Sequence, residues 1–354
     1  QLGERCVRNA EVEGSIPFRS TRIPESPDAF PGFFHGSACR CAAGICRPGD
    51  DRREIVAGNM VARALSWALA ALLWVLHFLP LPRLAWLGRG IGALFYRLAT
   101  RRREIVHINL ALCFPEWSEA QRTEIAREHF RLLGRSLLER AIFWWSDRKR
   151  IERLVHITGA EKIRAAQADG RPVILMAPHF LGLDAGGIAI TMRFDIVSLY
   201  AEQSDPVFDR LLLRGRSRFG EQLLLSRQDG VRATVKAMKS GRPFYYLPDM
   251  NARRRDSVFV PFFGVLAATV TGLPRLAKAA GAVVLPCVTR MLPGGQGYAV
   301  EIGDAWPDYP GDEVEKDVLR MNAWIEAAVR TMPAQYYWVH RRFKTRPSGE
   351  KKFY

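Results

Sequence analysis

Cysteine is scarce, at 6 of 354 residues, and no spacing among the six sets up a disulfide framework, which fits a reducing compartment. Four of them, Cys6, Cys39, Cys41 and Cys46, fall in the first 59 residues. The C-x-C-x-x-x-x-C cluster of the last three matches no common zinc pattern and lacks a second pair, so no metal is expected. Cys113 and Cys287 stand in apolar surroundings and read as small core residues. No internal repeat is present. Net charge is also missing from the start of the chain: residues 1–59 hold eight Arg and no Lys against eight Asp plus Glu. All of the formal charge of +16 therefore lies beyond residue 59. A basic balance by itself admits a nucleic acid, an anionic membrane surface or an acidic protein as partner.

The first 59 residues are rich in Pro, Gly, Ser and Arg, have no sustained helical or strand period, and read as a disordered tail. The chain opens with Gln1, while Met60 immediately precedes a strongly apolar stretch, so Met60 is the expected biological start and the tail is left out of fold reasoning. The remainder divides into a membrane anchor over residues 60–82 and a catalytic domain over residues 83–354. With 48% hydrophobic residues it has ample material for a core.

From Val61 to Leu79 the chain reads VARALSWALAALLWVLHFL, with one charge near its start and the Pro80 to Pro82 pair closing it. About 19 apolar residues just span a bilayer core, so a membrane helix is expected. No small-x-small cleavage site follows, and Arg83, Arg89, Arg97 and Arg101 to Arg103 favour retention on the cytoplasmic side. An in-plane or buried helix is the alternative. Ser118 is a plausible N-cap for the helical pattern after it. Beyond Thr158, short apolar runs at 173–177, 195–200, 243–248 and 282–288 alternate with helical stretches. That alternation predicts an α/β fold, a mostly parallel central sheet flanked by helices.

The segment Arg171 to Gly187, RPVILMAPHFLGLDAGG, runs from a buried-strand pattern through Pro178 into a helix beginning near Leu181. His179 thus falls just past the carboxyl end of a strand, where α/β proteins place reactive groups. Asp184 lies five residues on, about 140° away on a regular helix, so the two meet only if His179 is in the loop and Asp184 in the first turns. An imidazole takes a proton from a hydroxyl, while a carboxylate on its other nitrogen fixes the tautomer. No serine nucleophile pattern stands beside the pair, so the attacking hydroxyl belongs to the acceptor. A histidine satisfied by a backbone carbonyl and an aspartate capping a helix is the plainer reading of the same spacing.

The pattern H-x-x-x-x-D, His179 to Asp184, resembles the signature of the glycerolipid and lipid A acyltransferases. RRREIV and NLALCFPEWS around residue 109, PDMNARRRDSVFVPFFG at 248–264 and AQYYWVHRRFKTRP at 334–347 are similar to blocks of the lipid A late (lauroyl and myristoyl) acyltransferase family, in its order. The resemblance covers residues 60–354. It implies transfer of a fatty acyl group from acyl carrier protein to a hydroxyl of a Kdo-bearing lipid A precursor, on the cytoplasmic side of a Gram-negative inner membrane. No cofactor and no nucleic acid are implied.

Within that resemblance His179 is the general base and Asp184 its orienting carboxylate. Arg214 matches the arginine of the family's second block, with Arg216 its close rival, and both are candidates for stabilising the oxyanion. Asp249 follows the strand-like PFYYL near the same sheet end, stands in the family's Pro-Asp block and is a candidate for oxyanion or substrate binding, while Met250 and Asn251 replace the polar or acidic pair of many relatives. Arg255 is a candidate for acceptor phosphate. Thr269 lies in the ATVTG segment, which lines an acyl groove or packs the core. The basic block of His340, Arg341, Arg342, Lys344 and Arg346 suits anionic headgroups or the acidic carrier. An acyltransferase acting on another glycolipid or a lysophospholipid is the nearest alternative, and a non-catalytic binding protein the alternative from another class.

Overall fold

The computed structural model describes residues 50–226 and 229–354, with side chains from Met60 onward. Readings placed on residues 1–49, the cysteine cluster included, lie outside the described residues. Among the described residues five helices come first: α1 (Asp50–Leu76), α2 (Leu81–Leu98), α3 (Thr100–Cys113), α4 (Glu119–Trp145) and α5 (Arg148–Leu154). Alternation follows, with β1 (Val155–Thr158), α6 (Ala160–Ala168), β2 (Val173–Met176), α7 (Leu183–Thr191), β3 (Ile196–Tyr200), α8 (Pro206–Arg216), β4 (Gln222–Ser226), α9 (Gly230–Lys239) and β5 (Phe244–Tyr246). A hairpin of β6 (Ser257–Phe262) and β7 (Val265–Val270) precedes α10 (Gly272–Ala280), β8 (Val283–Met291), β9 (Tyr298–Ile302) and α11 (Val314–Thr331).

Seven strands form one sheet in the order β1-β9-β8-β2-β5-β3-β4, mostly parallel as the alternation predicts. Only the β8–β9 pairing is antiparallel within it. The central strands are buried apolar runs: every residue of β2 and β5 is buried, as strands covered by helices on both faces must be. Cys113 and Cys287 are buried in the two core clusters that flank the sheet, and burial pushes the Cys287 thiol up to about 12. Ser118 does cap α4: its hydroxyl accepts from the Gln121 amide, while the Gln121 side chain accepts from the Ser118 amide.

The expected membrane-spanning helix is overturned. Among the described residues no helix is long and apolar enough to cross a membrane. The apolar run of Val61 to Leu79 is not one helix, because α1 stops at Leu76 and the chain turns at Pro80 into α2. Arg150 fixes that turn, its guanidinium donating to the carbonyls of His77 and Leu79. The apolar part of α1, from Val61 to Leu76, rises about 24 Å, short of the roughly 30 Å of a hydrocarbon core. Helix α2 lies instead against α4, where Gly88, Gly92 and Gly134 meet. A β-carbon on Gly92 would collide with the Phe130 carbonyl, and one on Gly134 with that of Gly88, so only glycine permits this approach. The outward sides of α1, of α2 and of the turn between them stay uncovered, exposing Trp67, Leu72, Trp74, Phe78, Trp86, Leu94 and Leu98.

Candidate functional site

Strands β2 and β5 are parallel neighbours, with Met176 and Tyr246 as register partners at their ends. Each is followed by the same short exit: Ala177-Pro178-His179 from β2 and Leu247-Pro248-Asp249 from β5. Proline cannot extend a strand ladder, so both chains leave the sheet at the same level and carry their third residue to the same point. His179 and Asp249 therefore face each other across the carboxyl edge of the sheet. Asp249 Oδ1 accepts from the imidazole Nδ1 at 2.6 Å, and its Oδ2 accepts from the His179 backbone N–H at 2.9 Å. Asp249 is 1% exposed and the His179 side chain 19% exposed, so the carboxylate is interior and the imidazole reaches solvent. Burial raises the Asp249 carboxyl pKa, but the charge and hydrogen bonds of His179 outweigh it and hold the pKa below the usual range. With Nδ1 donating to Asp249, the proton-free lone pair falls on Nε2.

Asp184 does lie in the first turn of α7, with His179 in the loop before it. The carboxylate on the histidine is nevertheless Asp249, and Asp184 has other partners. Its Oδ2 is 2.9 Å from Arg140 Nε on α4, and its Oδ1 accepts from Arg216 at the end of α8 at 3.1 Å. Burial raises the Asp184 carboxyl pKa, yet the two guanidinium groups prevail and lower it. The glycines that follow His179 serve packing: Gly182 has φ −83°, open to any residue, while Gly182 and Gly186 lie against Thr289 of β8.

Of the two candidate arginines, Arg216 joins Asp184, whereas Arg214 is exposed. Arg255 lies exposed in the turn before β6, beside Asp256. Thr269 is wholly buried and accepts from Arg342, which also donates to the Ala268 carbonyl at 3.0 Å. That contact takes one cation of the C-terminal block into the core: Arg342 is 2% exposed, over the Phe262 ring. Asn251, in the departure from the family pattern, fastens the same block by exchanging hydrogen bonds with Thr345. Asn109 holds it from the other side through the carbonyls of Trp338 and His340.

Two site residues escape sequence reasoning. Arg140 sits in a long amphipathic helix with several arginines and nothing sets it apart. Tyr337 lies in the C-terminal block; its amide donates to the His179 carbonyl at 3.0 Å and its ring centroid is 6.5 Å from the imidazole. Asp249 had a signal that spacing alone overlooks, namely the repeated strand-x-Pro-charged exit.

Fold and site together define an α/β protein with a hydrogen-bonded histidine–aspartate pair at the carboxyl edge of a mostly parallel sheet and an arginine pair on a second aspartate. Residues 57–345 match the family of bacterial lipid A biosynthesis acyltransferases. The chain is similar to the lipid A biosynthesis lauroyltransferase of Escherichia coli (strain K12), 39% identical over 287 residues, 80% of this chain and 93% of the relative. It is 33% identical to the palmitoleoyltransferase of that organism over 82% of this chain and 94% of the relative. To its myristoyltransferase it is 31% identical, over 76% and 82%. The chain belongs to the bacterial lipid A biosynthesis acyltransferase family.

Proposed function

We propose that this acyltransferase moves a fatty acyl group from an acyl carrier protein thioester to a hydroxyl of a Kdo-bearing lipid A precursor, with His179 as general base. The observation that carries this reading is the 2.6 Å contact of His179 Nδ1 with buried Asp249. It leaves Nε2 free to take the acceptor's proton as its oxygen attacks the thioester carbonyl. The tetrahedral oxyanion collapses, the C–S bond breaks, and the imidazolium returns the proton to the leaving thiolate. No acyl-enzyme forms, since the nucleophile is the substrate's own hydroxyl.

Asp249 orients the imidazole and supports its charged form. Asp184, in this reading, acts on the arginines: it gathers Arg140 and Arg216 so that their guanidinium groups present positive charge to the oxyanion or a substrate phosphate. Arg255 remains open to an anionic group of the acceptor. The acceptor is a lipid, and the uncovered tryptophans and leucines of α1 and α2 suit contact with the cytoplasmic surface of the inner membrane, lying on the bilayer. The exposed Lys344, Lys351 and Lys352 suit an acidic carrier protein.

The test is transfer from acyl-acyl carrier protein to a Kdo-bearing lipid A precursor. His179→Ala is expected to abolish it while leaving the protein folded. Full activity in that variant overturns the reading.

A further inference from the structure

A carboxylate carries about four lone-pair sites, and one buried as deeply as Asp249 needs them filled if it is to stay ionised and still. His179 fills two of them, through Nδ1 and through its backbone N–H. A third donor comes from the far end of the chain: the Tyr336 hydroxyl hydrogen-bonds to Asp249. Its position is fixed by both ring and backbone. The ring is 4% exposed and packs edge-on to Phe180 and Trp338, at centroid distances of 5.6 and 4.9 Å. The backbone pairs with the histidine loop itself, for Phe180 and Tyr336 form an antiparallel bridge. On either side of that bridge the Leu181 amide donates to the Gln335 carbonyl and the Tyr337 amide to the His179 carbonyl. Segment 335–337 thus grips the loop that carries His179 and at the same point reaches its carboxylate partner.

We propose that Tyr336 is a positioning residue: its hydroxyl donates to Asp249 and sets that carboxylate squarely against His179 Nδ1. The role rests on the reading of His179 as the base. Burial raises the Tyr336 phenol well above its ordinary range, so it stays a donor at working pH. The titratable and charged groups facing this pair are His179, Arg342 and Cys113. Arg342 is held by Thr269 and the Ala268 carbonyl, and burial keeps the Cys113 thiol protonated, so neither competes for Asp249. Tyr337, the next residue, has its ring toward His179 and the charges of Arg140 and Asp184.

Tyr336→Phe keeps the ring and its packing and removes only the donor. A hydrogen bond to a charged group is typically worth a factor of roughly ten or more, so kcat is expected to fall roughly tenfold with KM little changed. Relieved of one donor, Asp249 supports the imidazolium more strongly, and the acid limb of kcat/KM moves to higher pH. In an Asp249→Asn background the same substitution is expected to cost nothing further, because the hydroxyl acts through the carboxylate. Unchanged kcat and acid limb in Tyr336→Phe, or an equal loss persisting in the Asp249→Asn background, overturns the proposal. An active His179→Ala variant fails differently: it removes the base reading and this role with it.

Discussion

Asp184 and Asp249 are two aspartates at the same edge of one sheet, each held below the usual carboxylate range, Asp184 by two guanidinium groups and Asp249 by its hydrogen-bonded contact with His179, so they serve different partners. Asp184 is five residues from His179 and pairs with Arg140 and Arg216. Asp249 is seventy residues away and sits on the imidazole. The difference lies in what carries each one. Asp184 rides on α7, the helix that turns away from the loop, whereas Asp249 leaves a strand whose last residue is in register with the last residue of β2. In a parallel sheet, residues leaving matching ends of adjacent strands meet however far apart they lie along the chain.

Substituting each aspartate sharpens this contrast. Asp249→Asn leaves the imidazole without a carboxylate to fix its tautomer, and kcat is expected to fall by about four orders of magnitude, as in hydrolytic triads. Transfer assays on the folded variant measure this; a loss under tenfold breaks the contrast. Asp184→Asn has its main effect on stability, because two guanidinium groups lose their counter-ion in a site where Asp184 is 10% exposed. A loss of about 3 kcal/mol in denaturant unfolding is expected. An unchanged midpoint would show that the arginines do not depend on it.

Protonation is expected to reach the same region. His129 is buried, with Nδ1 on the Ala334 carbonyl at 3.0 Å, just ahead of Tyr336, and burial lowers its pKa from 6.5 to about 4. The unfolded chain therefore binds the proton first as pH falls. Stability is present in full above pH 6.5 and is lost progressively down to about 4, by up to about 3 kcal/mol. The lowered carboxyls of Asp249 and Asp184 add loss in the same direction at lower pH. His129→Asn is expected to flatten the slope between pH 6.5 and 4 in thermal melts, and an unaltered slope contradicts the assignment. The smallest contrast is between the two arginines of α8. Arg216→Ala is expected to lower kcat/KM roughly tenfold, and Arg214→Ala to stay within about twofold. Equal effects would dissolve the distinction.

The sheet was legible because its central strands are apolar runs bounded by turn residues: the runs at 173–177, 195–200, 243–248 and 282–288 hold β2, β3, β5 and β8. Their order was not, since nothing in a run names its neighbour. The β2–β5 adjacency is the fact that brings Asp249 to His179. The membrane helix misled for a related reason. Hydropathy adds residues along a line and does not register that Arg150, far along the chain, ties down a turn at His77 to Leu79. At the other end a basic block suits anionic headgroups or the acidic carrier, yet Arg342 finds Thr269 and the Ala268 carbonyl and goes inside. Composition fixed what these segments are made of, and long-range partners fixed where they went.

The Nδ1 proton of His179 reports its partner directly. In proton NMR of the folded enzyme, a hydrogen bond to a carboxylate at 2.6 Å is expected to place that proton far downfield. The account predicts that the resonance persists in Asp184→Asn and disappears in Asp249→Asn. Loss of the signal in Asp184→Asn with survival in Asp249→Asn would contradict it.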